Sequence, residues 1–225
     1  MELYHVLNRG VEKRNIFLDD RDRFRFVHGL GLFNTARPAN NTTYLLEHEM
    51  EEINDIRGRY GKGRVVNIHG WCIMKNHYHL LLSELVDNGI TTFIRKLNVG
   101  YAKYFNARYR RSGYVFQGRT KKVHIHSETH FLHILHYIHL NPLDYVSGAQ
   151  SWRSARIVDS AKAKDQLRHY RWSSYADYCG RRNFPSILTT DFFKASIGNI
   201  EKETTAYLGS MSKHSNESFP VRFLE

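Results

Sequence analysis

His77 and His79 stand two residues apart in the run Cys72-Ile73-Met74-Lys75-Asn76-His77-Tyr78-His79-Leu80-Leu81-Leu82. Apolar, β-prone residues flank them and Lys75-Asn76 reads as a turn, so the spacing predicts a strand. Residues two apart on a strand point to the same side. His77, His79 and Leu81 would therefore share one face, with Tyr78, Leu80 and Leu82 on the other. On a helix the two imidazoles would diverge. Side by side on a rigid strand they form half of a site for a divalent metal. An isolated pair of this kind reads more simply as two solvated histidines, so the metal reading needs a third ligand and a reacting group from elsewhere in the chain.

The run Phe131-Leu132-His133-Ile134-Leu135-His136-Tyr137-Ile138-His139-Leu140-Asn141, closed by Pro142, can supply both. His133, Tyr137 and Asn141 are four apart and form one stripe of a helix predicted over 129–141. That stripe carries a phenol and a carboxamide oxygen. An asparagine oxygen is a hard ligand, compatible with Mg²⁺ or Mn²⁺ beside imidazole. Taken alone, Tyr137 reads as a core aromatic and Asn141 as a helix cap before proline.

Charge narrows the classes of partner. Thirty-three Lys and Arg against 22 Asp and Glu give a net charge of +11, which suits a polyanion. Nine cations and no acid lie between Arg95 and His126: Arg95, Lys96, Lys103, Arg108, Arg110, Arg111, Arg119, Lys121 and Lys122, with Tyr109, Tyr114 and Phe116 among them. A long run of one sign with interleaved aromatics fits phosphate contacts and base stacking better than a merely solvated face. The longest apolar runs fall far short of the ~20 residues that cross a bilayer, so no membrane role is expected. Neither a signal-peptide pattern at the N-terminus nor a disulfide framework is visible, because Cys72 and Cys179 lack CxxC spacing, and a cytoplasmic location is expected.

The elements that must position these residues can be read in order. Residues 2–9 predict a first strand and residues from about 19 to 33 a helix. An inserted segment, 34–64, carries a second helix over 44–58. Residues 65–74 and 77–83 form a hairpin. Residues 89–109 form a helix with Ile90, Phe93, Ile94, Leu97, Tyr101, Tyr104 and Phe105 on one stripe. Another strand spans 119–126, before the 129–141 helix. This order predicts an α+β protein, a ferredoxin-like sandwich with a mainly antiparallel four- to five-stranded sheet and helices on one or both faces. Residues 1–145 would form this domain, 146–198 a helical C-terminal appendix that includes a polar linker with one short helix over 147–165, and 199–225 a weakly ordered tail.

The chain also resembles the single-tyrosine HUH transposases of the IS200-like family, in particular the REP-associated tyrosine transposase group. The matching pieces fall in family order: Tyr4-His5-Val6 with Asn8-Arg9-Gly10, Ile16-Phe17, Met74 to Leu82, Tyr101-Ala102-Lys103-Tyr104-Phe105-Asn106, Ser112 to Arg119, Tyr137-Ile138-His139-Leu140-Asn141-Pro142 and Trp172-Ser173-Ser174-Tyr175. They span roughly residues 3–180. Lys75 replaces the proline common before Asn-His in the family, which bears on turn stiffness, and the 34–64 insertion is longer than in compact members.

The resemblance implies cleavage and rejoining of single-stranded, hairpin-forming DNA through a 5′-phosphotyrosine. Tyr137 would be the nucleophile, and His77, His79 and Asn141 would hold Mg²⁺ or Mn²⁺. Arg119 is the foremost expected phosphate contact, with Lys121, Lys122, Arg95, Lys103, Arg110, Arg111, Arg9 and Gln117 as further DNA contacts. A homodimer is allowed. The competing readings are a catalytically inactive or domesticated protein that binds DNA hairpins, and a zinc protein built on His124, His126, His130, His133, His136 and His139.

Overall fold

The computed structural model describes residues 1–37, 63–126 and 128–212. Four strands, β1 (Leu3–Arg9), β2 (Val66–Ile73), β3 (His77–Glu84) and β4 (Lys121–Ile125), form one sheet in the order β2-β3-β1-β4. Every neighbouring pair is antiparallel. Helix α1 (Asp20–Leu32) joins β1 to β2, and α2 (Gly89–Arg108) joins β3 to β4. This β-α-β-β-α-β order, with the first strand central, is the ferredoxin-like arrangement that the sequence predicts.

Strand alternation sorts the side chains onto two cores. Val6, Trp71, Tyr78, Leu80 and Leu82 pack under α1 and α2 with Phe26, Phe93, Leu97, Tyr101 and Phe105. The predicted α2 stripe is buried along its length, except that Tyr104 is only half-buried. Asp19 caps α1 by accepting the Asp22 backbone N–H at 3.1 Å. Asn34, just past α1, donates to the Val66 carbonyl and accepts from the Val65 and Val66 amides, which ties the helix end to the start of β2. The helix expected over 44–58 lies outside the described residues.

Leu3, Cys72, Leu81 and Ile125 project from the opposite side of the sheet. They pack under α3 (Glu128–Leu140) through Ile134, Leu135 and Ile138. Helix and sheet approach closely at Gly70, where a Cβ would come within 2.8 Å of Leu135 Cδ1.

The C-terminal third departs from expectation. Val146, Ala149, Trp152, Ala155, Ile157, Ala163 and Leu167 are buried in the same core as α3, so residues after 145 are part of the domain rather than an appendix to it. The expected linker holds a short 3₁₀ turn, Gln150–Ser154, and leads into α4 (Ser160–His169). Trp172-Ser173-Ser174 runs along the outer edge of β2, with Trp172 O accepting from Ile73 N and Ser174 N donating to Trp71 O. Three further helices follow: α5 (Tyr175–Tyr178), α6 (Asp191–Ile197) and α7 (Ile200–Ser212). The weakly ordered tail expected from 199 is, over 200–212, a helix that buries Ile200, Thr204, Leu208 and Met211. Its four apolar-side positions fall at helical spacing, a pattern diluted by the surrounding Glu, Thr and Ser.

Three buried histidines give this fold an acid limit. Burial lowers His69 and His136 to about 4 and His139 to about 3. His139 Nε2 lies 2.8 Å from Ser174 Oγ, and His69 Nε2 lies 2.8 Å from Ser83 Oγ. Unfolded, each imidazole titrates near ~6.5. Below that value the unfolded chain binds more protons than the folded one, so the stabilisation is complete above pH ~6.5 and is lost as pH falls toward 4. Urea midpoints measured from pH 7.5 to 4 should fall steadily below about 6.5, with a shallower slope in His139→Phe.

Candidate active site

Strand β3 presents His77 and His79 on one face, as their spacing predicts. Their ring centroids are 4.9 Å apart and nearly perpendicular. The register of β1 against β3 sets Leu7 opposite His79 and Arg9 opposite His77. Two residues along β1 on the same face, His5 stacks on His79 at 5.1 Å, with its Nε2 2.9 Å from His79 Nδ1. Helix α3 crosses this face and inserts Tyr137, whose ring centroid lies 5.8 Å from His5 and 5.9 Å from His79. Tyr137, His79 and Asn141 are all buried, while His77 is half-buried.

The orientation of each imidazole is held by a neighbour. Asn76 donates its Nδ2 to the Lys13 carbonyl, which turns its Oδ1 toward His77 Nδ1 at 2.6 Å. That oxygen can only accept, so His77 carries its proton on Nδ1 and its lone pair on Nε2. His5 Nε2 engages His79 Nδ1 at 2.9 Å, where either ring can donate, and His79 Nε2 is buried with no hydrogen-bond partner. Burial holds His79 well below the ordinary histidine range, reinforced by His77, His5, Arg153 and Arg9. A neutral imidazole braced through one nitrogen is the form that binds a divalent metal through the other. The histidine pair therefore fits the implied ion.

Asn141 is engaged on both sides of its amide. Its Nδ2 donates to the Tyr137 carbonyl at 2.9 Å, capping the end of α3. Its Oδ1 accepts from Arg153 Nη2 at 2.9 Å. The cap uses the nitrogen, and the oxygen is held by the Arg153 guanidinium. Arg153 also donates to Asp144 Oδ1 at 2.5 Å, and its guanidinium carbon lies 5.9 Å from the Tyr137 ring centroid. Burial opposes its charge, yet Asp144 outweighs that and keeps its pKa above the ordinary value. Trp152 packs 5.5 Å from the Tyr137 ring and donates its Nε1–H to Asp144 at 2.8 Å.

The expected DNA contacts separate. Arg9 and Lys121 lie on the histidine face, since Lys121 pairs with Leu7 and Arg9 with His77. Lys122 is on the opposite face, 3.6 Å from Glu84 and over the Tyr4 ring. Arg95 and Lys103 are exposed on the outer side of α2, across the sheet from Tyr137. Arg110, Gln117 and Arg119 are exposed in the connection to β4, and Arg111 lies over Phe105. His133 meets Tyr207 of α7 rather than the histidine pair. His124 and His126 are exposed neighbours on and beside β4, with ring centroids 5.6 Å apart. Among the described residues no group of three or more His, Cys, Asp or Glu is placed to hold a metal ion.

Two members of the cluster are not identified by sequence reasoning. His5 lies in the quoted Tyr4-His5-Val6 piece, but only the β1–β3 register shows that it meets His79. Arg153 sits in a stretch read as linker, where the buried Trp152 was the available signal.

These positions coincide with a family match. Residues 35–141 match the family described as "Transposase IS200 like", a span that includes His77, His79, Tyr137 and Asn141. That segment is similar to the IS200-like transposases. No curated protein matches the chain. A solved structure, described as a REP-associated tyrosine transposase bound to a REP hairpin, aligns with 13% identity over 84% of this chain and 86% of that one, at a TM-score of 0.45. His5 and Arg153 lie outside the segment matched to the IS200-like family. No helix among the described residues is long and apolar enough to cross a membrane.

Proposed function

We propose that the IS200-like segment is a working transposase centre that cuts and rejoins single-stranded DNA, with Tyr137 as nucleophile. The observation that carries this reading is the convergence of Tyr137 on His79 and His5 across the interface between α3 and the sheet, with Asn141 one turn further on. Tyr137 Oη would form a bond to a backbone phosphorus while the bond from phosphorus to the 3′-oxygen breaks. The products are a 5′-phosphotyrosine and a free 3′-hydroxyl. The phenol gives up one proton and the departing 3′-oxygen gains one. The exchanged ester keeps its energy, so rejoining needs no external source.

Mg²⁺ or Mn²⁺ held by His77, His79 and Asn141 would polarise the phosphate and offset charge on its oxygens. Asn76 and His5 keep the two imidazoles turned for that role. Arg9 and Lys121, on the same face, supply positive charge where a strand would reach the site, and the exposed Arg119 lies at the entry to β4. The substrate proposed is a hairpin-forming single strand.

The complete burial of Tyr137 favours a second reading, in which the chain binds such DNA without cutting it. One experiment separates the two. The full chain is incubated with a radiolabelled single-stranded hairpin, or with a perfect duplex of the same sequence, in Mn²⁺ or in EDTA. A complex that survives boiling in detergent is expected with the hairpin in Mn²⁺ and in neither control. Tight binding with no covalent complex would establish the second reading instead.

A further inference from the structure

One side chain that meets both Asn141 and Tyr137 lies outside the segment matched to the family. Arg153 reaches Asn141 Oδ1 with Nη2 and Asp144 Oδ1 with Nη1, and the same guanidinium lies beside Tyr137. Its guanidinium carbon lies 5.9 Å from the Tyr137 ring centroid and 4.3 Å from that of Trp152. A planar fork clamped between an indole and a carboxylate has little freedom, which makes its place beside the Tyr137 ring a fixed feature of the site. The 3₁₀ turn Gln150–Ser154 is pinned in turn by Trp152, which is wholly buried.

We propose that Arg153 is a catalytic residue of this centre, donating to the Tyr137 oxygen and stabilising negative charge there while the bond to phosphorus forms and again when it breaks. The inference rests on the proposed tyrosine chemistry. In the forward step the phenolic O–H is lost and the oxygen passes its electron pair to phosphorus, while the 3′-oxygen leaves and takes up a proton. In the reverse step the same oxygen departs with the pair, and a positioned guanidinium stabilises it in both directions. Donors fixed in advance at an oxygen that gains charge in the transition state contribute about 10²–10³-fold to rate. A lysine at 153 would keep the charge and lose the planar fork that serves Asn141 and Asp144 at once.

The test is single-turnover formation of the covalent complex by the full chain at saturating hairpin DNA in Mn²⁺, with DNA affinity measured separately. R153Q should form the complex about 10²-fold more slowly with affinity within about threefold of the parent. R153K should fold normally and lose at least about tenfold in rate, which covers the case of a poorly folded R153Q. Millimolar guanidinium should restore part of the rate in R153A and none in Y137F. An R153Q rate within about threefold of the parent would overturn the proposal. So would a defect confined to DNA affinity, because that is what a phosphate-positioning residue would give. If the parent chain forms no covalent complex, or Y137F still forms one, the tyrosine reading itself has failed and the role of Arg153 fails with it. A parent complex lost in Y137F but untouched in R153Q sinks the Arg153 role alone.

Discussion

Tyr137→Phe is expected to abolish the covalent DNA complex while leaving the fold and DNA binding in place. The ring is fully buried between His5, His79 and Trp152, and phenylalanine preserves all of that packing. What disappears is the hydroxyl, beside which the Arg153 guanidinium lies. Losing one buried hydroxyl should cost about 1 kcal/mol, a melting shift of roughly 2–4 °C for a chain of this size. The chemical effect has no such ceiling, because no oxygen remains at that position to attack phosphorus. Detergent-stable complex should fall to background, below about a thousandth of the parent yield, while a mobility-shift assay shows hairpin binding within about threefold. A covalent complex in this variant would show that another residue carries the reaction. Loss of binding together with the complex would show instead that the substitution had damaged the site as a whole.

The same residues show which parts of the centre could be read before the fold. The pairing of His77 with His79 follows from strand alternation alone, and the placement of Tyr137 one turn before Asn141 follows from helical spacing. Both are local patterns that tertiary structure had only to preserve. The burial of the α2 stripe was legible for the same reason.

What could not be read depends on long-range pairing. His5 meets His79 because β1 lies between β3 and β4 in a particular register, and no local pattern states that register. The single-sign run from Arg95 to Lys122 looked like one surface, yet it spans a helix on one side of the sheet and a strand whose neighbours alternate. Lys121 and Lys122 consequently face opposite ways, and only the first shares a face with the histidines. Residues 147–165 read as a linker with one short helix because α4 buries only Ala163 and Leu167 among charged neighbours. So narrow an apolar stripe is weak evidence of a helix, and the strongest clue was a tryptophan in otherwise polar sequence.

That tryptophan carries the largest expected effect on stability. Trp152 is wholly buried, packs against Tyr137, supports the Arg153 guanidinium and donates to Asp144. Truncating a buried aromatic to alanine costs about 3–5 kcal/mol, and here the cavity would open directly behind the proposed nucleophile. Trp152→Ala should therefore lower the melting temperature by roughly 6–20 °C, read by calorimetry or circular dichroism. Trp152→Phe keeps most of the packing and removes the indole N–H, while Asp144 retains Arg153 as partner. Its cost should be near 1 kcal/mol. At a temperature where Trp152→Ala remains folded, its rate of covalent complex formation should still fall, because Arg153 and Tyr137 both lose a wall. A normal melting temperature in Trp152→Ala would show that residues 146–212 dock on α3 too weakly to belong to its core. A normal rate alongside a large melting loss would separate the two roles, leaving Trp152 to hold the fold and Asp144 alone to orient Arg153.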